Sequence, residues 1–380
     1  MKRSLGIAFM PYAPEFVDGI KIGNYEIWEF YKNYDVKIKD KDTIDFVKNL
    51  LSKYNDTIDV NENRYIISPM NFDFVNDRLT KEHIDDIIKI RNIITFWVIS
   101  SSCCYQTFFK LSSNYFTICL QNFCIEDNEI AFLSPFSMGL DTIEKIKFVK
   151  PHFITNTSLS ISSNIDKDLL SCFEKCLNNK EYAYLFNILD IFYHTFYLET
   201  TTSSIKDIET SIKFKLLSLC MCFDVLLNLD KGKKDFVEII HKLFYREDKS
   251  ILEERPIKDT KPYCKTAWWA YDFYVLRNKI VHQNEIVWDN EKYGTIYLVF
   301  IFGTMLLKRL IEDKLNFIPS GVENLYHCIQ DCAKELCIIN GISEDPKDKE
   351  ESIEDYYKNR ICMDTELKNL YDKWKENSDS

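Results

Sequence analysis

The chain has 380 residues, 46% of them hydrophobic and 28% charged, an ordinary soluble globular balance with room for two modest domains or one large one. A net formal charge of -11 argues against a protein that holds nucleic acid on a broad basic surface, because such binding neutralises many phosphates, but it leaves room for a local basic cleft. Thirteen cysteines with no secretory signal at the N-terminus read as reduced thiols of a cytoplasmic protein rather than a disulfide framework. Ile296 to Leu307 is the most apolar stretch and falls short of the roughly 20 residues a membrane span needs.

Only 9 Gly and 9 Pro interrupt the chain, and its runs of Leu, Ile, Lys, Glu and Asp favour helices. The first 160 residues mix short β-like runs with two helical segments. Leu5 to Met10, Tyr25 to Tyr31, Arg64 to Ser68, Tyr115 to Phe123, Glu129 to Phe136 and Lys145 to Ile154 are rich in β-branched and aromatic residues and read as strands. Asp42 to Tyr54 and Thr80 to Ser100 read as helices. In the second, Ile84, Ile87, Ile88, Ile94 and Val98 recur near helical spacing, Thr80 is an N-cap, and Glu82 and Asp85 sit in the first turn, where the helix dipole favours acids.

Around Thr155 to Ile165 the composition turns to Ser, Thr and Asn, which marks a domain boundary. Beyond it the chain reads as almost continuous helix: Asp168 to Leu177, Glu181 to Glu199, and Ile208 to Leu229. In the last of these Ile212, Leu216, Leu219, Phe223 and Leu226 step by four, three, four and three, the spacing of one buried face. Lys231-Gly232-Lys233-Lys234 turns the chain into a short amphipathic helix carrying Phe236, Ile239, Ile240 and Leu243. A charged loop, a helix from Cys264 to His282 and another from Tyr293 to Leu315 complete an antiparallel bundle of about five helices. Residues 318–380 read as an acidic helical extension. The expected class is α+β: an N-terminal mixed α/β domain over 1–160, then an all-α bundle over 166–317.

The chemistry concentrates at the end of the Cys264 to His282 helix, in Arg277-Asn278-Lys279-Ile280-Val281-His282, with Gln283-Asn284 marking the helix end. Arg277 and His282 lie five apart and diverge by roughly 140° on an ideal helix, whereas Asn278 and His282 share a face. Arginine offers a planar fork of donors for a phosphate, and histidine gives or takes a proton near neutrality. Those roles suit metal-free RNA cleavage, which needs a base for the ribose 2'-OH and a cation for the charge on the phosphorane. A helix-end charge cluster, with His282 well placed at a C-terminus, is the plainer account of the same residues.

This stretch resembles the R-N-x-x-x-H form of the R-x4-H motif of the HEPN superfamily, helical domains many of which are ribonucleases. The flanking pattern is similar too, with an apolar helix before the motif and a long apolar helix after it, and the resemblance spans roughly Asp166 to Phe317. It implies a metal-independent endoribonuclease, of the kind found in antiphage defence and toxins, with Arg277, Asn278 and His282 catalytic and no cofactor or metal. Because one complete motif is present, the resemblance implies a homodimer in which two motifs line one cleft. RNA, tRNA among its forms, is the implied substrate; since the chain is acidic overall its contacts must be local, and Lys279, Lys231, Lys233, Lys234 and Lys242 are the candidates for them. The N-terminal domain is then a sensor or regulatory domain of unknown type, open to a protein or nucleotide regulator. A non-catalytic HEPN-like module for dimerisation, nucleotide binding or partner binding is the alternative.

Other polar groups read as structural. Arg91-Asn92 repeats the start of the motif, but Phe96 stands where the histidine belongs. Cys172 and Cys176, Cys103-Cys104, Cys220 and Cys222, and the group His327, Cys328, Cys332 and Cys337 lack the C-x2-C spacing of structural zinc sites and read as small buried hydrophobes. Trp268-Trp269 reads as a core or interface anchor rather than a base-stacking platform.

Overall fold

The computed structural model describes residues 3–13, 19–52, 64–101, 113–126, 129–134, 137–140, 167–177, 179–196, 205–229, 232–244, 252, 254–255, 257, 261–286 and 296–316. Two compact units emerge, Met1–Ile99 with Leu111–Thr201, and Ser100–Lys110 with Thr202–Ser380. The class is α+β as expected, with an N-terminal antiparallel sheet and mainly helix beyond it. The strand expected at Lys145 to Ile154 and the acidic extension 318–380 lie outside the described residues.

The first unit is built on a seven-stranded sheet of β1 (Arg3–Met10), β2 (Ile20–Ile22), β3 (Tyr25–Glu29), β4 (Tyr65–Pro69), β5 (Cys119–Glu126), β6 (Glu129–Ser134) and β7 (Ser137–Leu140). All pairs are antiparallel in the order β2-β3-β4-β1-β5-β6-β7. Gly23, at φ +57°, turns the two-residue hairpin between β2 and β3, a backbone region glycine enters without strain. The run expected as one strand from Tyr25 to Tyr31 splits at Glu29, where α1 (Phe30–Lys37) begins. Burial explains the split: Phe30 is wholly buried and its ring meets those of Trp28, Tyr31 and Tyr34.

α2 (Lys41–Ser52) starts on Asp40, whose carboxylate accepts from Thr43 N at 2.8 Å and Thr43 Oγ1 at 2.6 Å, and buries Val47, Leu50 and Leu51. α3 (Lys81–Ser101) is capped as expected by Thr80, whose Oγ1 accepts from His83 N at 3.2 Å. Its apolar side is wider than the expected stripe, with Ile87, Ile90, Ile93, Ile94, Phe96, Trp97 and Val98 all buried. A 3-10 turn at Ser113–Phe116 occupies the start of the expected Tyr115 to Phe123 strand. α4 (Lys167–Leu177) and α5 (Ala183–Thr195) group with this sheet. A Cβ on Gly23 would stand 3.2 Å from Leu177 Cδ2, and Phe96 of α3 meets Phe192 of α5 edge-on at 4.9 Å.

The second unit contains α6 (Ile205–Leu227), α7 (Lys233–Phe244), α8 (Lys265–Gln283) and α9 (Ile296–Lys314) among its described residues. The expected bundle range 166–317 is thus shared between the two units. Leu216, Leu219, Phe223 and Leu226 are buried on α6, as their spacing requires, while Ile212 at the start of that run is half-buried. Trp268 and Trp269 are core residues. Trp269 stacks on Phe273 at 4.9 Å and meets Phe302 of α9 at 4.4 Å. Gly303 lets α9 approach closely, since a Cβ there would lie 2.6 Å from Leu219 Cδ2. Among the described residues no helix is long and apolar enough to cross a membrane.

Candidate functional site on the last turns of helix α8

The ends of α8 are set by partners on its neighbours. At the N-terminus, Cys264 N donates to His241 Nδ1 of α7 at 3.3 Å. At the C-terminus Asn284 takes the left-handed conformation, φ 57° and ψ 29°, and its N–H returns to Ile280 O at 3.1 Å. Asparagine tolerates that conformation, which explains why the helix stops there. Lys213 of α6 then donates to Asn284 O at 2.6 Å and to its Oδ1 at 3.2 Å, placing an ammonium at the negative end of the helix dipole. Lys213 pairs with Asn284, and Asp224 with Tyr274, so α6 and α8 run antiparallel.

Arg277 is half-buried on the side of α8 that faces α6. Its Nη1 donates to Asn278 Oδ1 at 3.0 Å, and its guanidinium carbon lies 5.6 Å from the centre of the Tyr274 ring. Tyr274 in turn donates to Asp224 Oδ1 at 3.4 Å. Burial raises the Asp224 carboxyl above its ordinary value, an effect opposed by the charge of Arg277 and the hydrogen bond from Tyr274. Burial likewise raises the Tyr274 hydroxyl. Asn278 and Lys279 are half-buried and His282 is exposed. The partners of Arg277 among the described residues are Asn278 and Tyr274, and no hydrogen bond joins it to His282, in keeping with their divergence on a helix.

The two Arg-Asn pairs can be compared directly. Arg91 uses both Nε and Nη2 on Asn92 Oδ1, at 3.0 and 2.7 Å. Its guanidinium lies 3.7 Å from the Tyr193 ring centre and 3.9 Å from Asp190. Asn92 donates to Asp190 Oδ1 at 3.1 Å. This cation is consumed in tying α3 to α5, and Phe96 is in the core, so the pair is structural, as expected. Arg277 has one hydrogen bond among the described residues. Among those residues the rest of its donor fork is unclaimed, which suits a group that receives an anion.

Of the lysines named from the sequence, Lys233 lies 4.0 Å from the centre of the Tyr271 ring, Lys234 and Lys242 are exposed, and Lys231 lies outside the described residues. Residue pattern alone does not single out Asp224, Tyr274 or Lys213. Tyr274 and Arg277 stand three apart on one helix face, which is a local signal, but Asp224 is recognisable only once α6 is paired with α8. Cys176, Cys220 and Cys222 are buried, in keeping with small hydrophobes, whereas Cys172, read the same way, is half-buried. No group of three metal-capable side chains occurs among the described residues; the His327 to Cys337 group and Cys103-Cys104 lie outside them. No protein-family model, curated protein or solved structure matches the chain.

Proposed function

We propose that the chain is a metal-independent endoribonuclease of HEPN type, acting in antiphage defence or as a toxin on cytoplasmic RNA. The reading rests on the contrast between the two arginines, because among the described residues Arg277 gives one hydrogen bond, to Asn278, and stands less than two helical turns from an exposed imidazole. His282 activates the ribose 2'-OH or protonates the leaving 5'-oxygen, Arg277 stabilises the charge on the phosphorane, and Asn278 holds the guanidinium in place. The products are a 2',3'-cyclic phosphate and a 5'-hydroxyl. Lys279 contacts the RNA backbone, and the sheet-bearing unit senses or regulates.

Arg277 and His282 diverge within one chain, so the working cleft needs a second copy. The exposed apolar side chains beside the motif, Val281 on α8 and Phe214 next to Lys213 on α6, with Met221 and Val225 further along α6, suit such pairing. The test is incubation of purified protein with tRNA and single-stranded RNA, with and without chelator, followed by end mapping and sedimentation. Cleavage that survives chelation, leaves cyclic phosphate ends and vanishes in His282→Ala supports the reading. A wild type that cuts neither RNA sinks it. The lack of a hydrogen bond between Arg277 and His282 also favours a second reading, a non-catalytic binding module, in which both alanine variants alter association and no RNA is cut.

A further inference from the structure

We propose that Asp224 is a positioning residue that acts as an internal counter-anion, competing with the substrate phosphate for the charge of Arg277 and releasing that charge when it takes up a proton. The inference rests on the reading of Arg277 as the phosphate-binding group and adds how the site is regulated.

The geometry is a relay of three side chains across the α6–α8 packing. Tyr274 and Arg277 stand three apart on α8, and the tyrosine hydroxyl reaches Asp224 Oδ1 at 3.4 Å. The hydroxyl lies beside the backbone of Gly232, where an added Cβ would come 3.0 Å from it, and the Tyr274 ring centre lies 6.1 Å from that of Phe236. Asp224 and Arg277 are close enough to feel each other's charge, yet no ion pair joins the two, and among the described residues Arg277 makes one hydrogen bond, to Asn278.

Among the described residues, the titratable and charged groups that face Asp224 are Tyr274 and Arg277 from α8 and Cys220 on its own helix. Burial pushes the Cys220 thiol up and burial also raises the Tyr274 hydroxyl, so both stay neutral at physiological pH. Arg277 is the cation that favours the charged form of Asp224, against burial, which disfavours it. A phosphate on Arg277 cancels that support and adds like-charge repulsion, so the bound state holds the Asp224 proton more tightly than the free state. By linkage, anion affinity is lowest above both values, rises as pH falls between them, and is level below.

The test uses a single-stranded oligodeoxynucleotide, which lacks the 2'-OH and is not cut by 2'-OH attack, with the full chain and fluorescence anisotropy from pH 7.5 to 4.5. A His282→Ala background removes the exposed imidazole, which would itself titrate. In that background affinity should rise as pH falls. Adding Asp224→Asn should tighten binding at pH 7.5 by roughly tenfold, the equivalent of one unit of coupling, and flatten the profile. Asp224→Glu retains the charge and should track the background. The proposal is overturned by an Asp224→Asn protein that matches the background at every pH. It is equally overturned by a gain that persists after Arg277→Ala, by Asp224→Glu behaving as Asp224→Asn, or by no measurable binding in any variant at low salt. Wild-type protein that leaves RNA intact defeats the nuclease reading alone, because the anisotropy does not depend on cleavage.

Discussion

Replacing Gly303 by alanine will destabilise the second unit although alanine is the better helix former. Inside a helix the exchange ordinarily gains about 0.8–1 kcal/mol. At this position the new methyl would lie 2.6 Å from Leu219 Cδ2, 3.6 Å from Leu219 Cγ and 3.7 Å from Trp269 Cη2. Both neighbours are buried, Leu219 completely, so the leucine must leave its rotamer or α9 must retreat. Overpacking of this kind costs about 1–3 kcal/mol. The net is a loss of about 1 kcal/mol, or roughly 2–4 °C in melting temperature for a unit of this size. A double-mutant cycle makes the cause testable. Leu219→Ala alone removes a buried leucine and costs about 2–5 kcal/mol, but in that background the Gly303 methyl has space, and the second exchange should stabilise. Circular dichroism melts of the four proteins give the coupling. A Gly303→Ala protein that melts higher than wild type, by the same margin as in the Leu219→Ala background, would refute the close approach of α9 to α6.

The same contacts set other outcomes. On the proposed nuclease reading, Arg277→Ala should abolish cleavage per folded molecule and Arg91→Ala should leave it intact, while Arg91→Ala lowers the melting temperature more than Arg277→Ala does; the opposite pattern overturns the assignment of roles. Asn284→Ala, which forces a Cβ residue lacking asparagine's local hydrogen bonds into the left-handed region and removes one contact of Lys213, should cost about 1–2 kcal/mol, and Asn284→Gly should recover most of it. His241 accepts the Cys264 N–H only while neutral, and burial first and Lys261 second hold its pKa below the usual 6.5, against the pull of Glu238. The unfolded chain therefore binds the proton first. The contribution is complete above about pH 6.5 and is lost as pH falls from there towards the lowered folded value. Melts from pH 8 to 5 should show that loss, and a His241→Gln protein whose pH slope matches wild type would refute it.

The parts of the fold legible in the chain are those set by short-range patterns. The Thr80 cap, the step of the α6 apolar residues and the end of α8 at Gln283-Asn284 each depend on groups within about one helical turn, and each stands where it was expected. β2 and β7, with three and four residues, are too short to show alternation and exist because neighbours accept them at the sheet edges. α1 was hidden for a related reason, since its aromatic run carries a strand-like composition until Phe30 finds its buried place beside Trp28. The grouping of α4 and α5 with the sheet depends on which apolar faces meet.

The motif divides in the same way. Residue order by itself places Arg277 and Asn278 side by side, His282 in the last turn, and the helix end after it, because helix period and capping are local. Only the tertiary structure decides that Arg91 is tied to Asn92, Tyr193 and Asp190 while Arg277 has one hydrogen bond among the described residues, and that Asp224 stands beside Tyr274. Those facts turn on residues as far apart as Asn92 and Asp190, or Asp224 and Tyr274, brought together by the burial of helix faces that carries no one-to-one code for its partner.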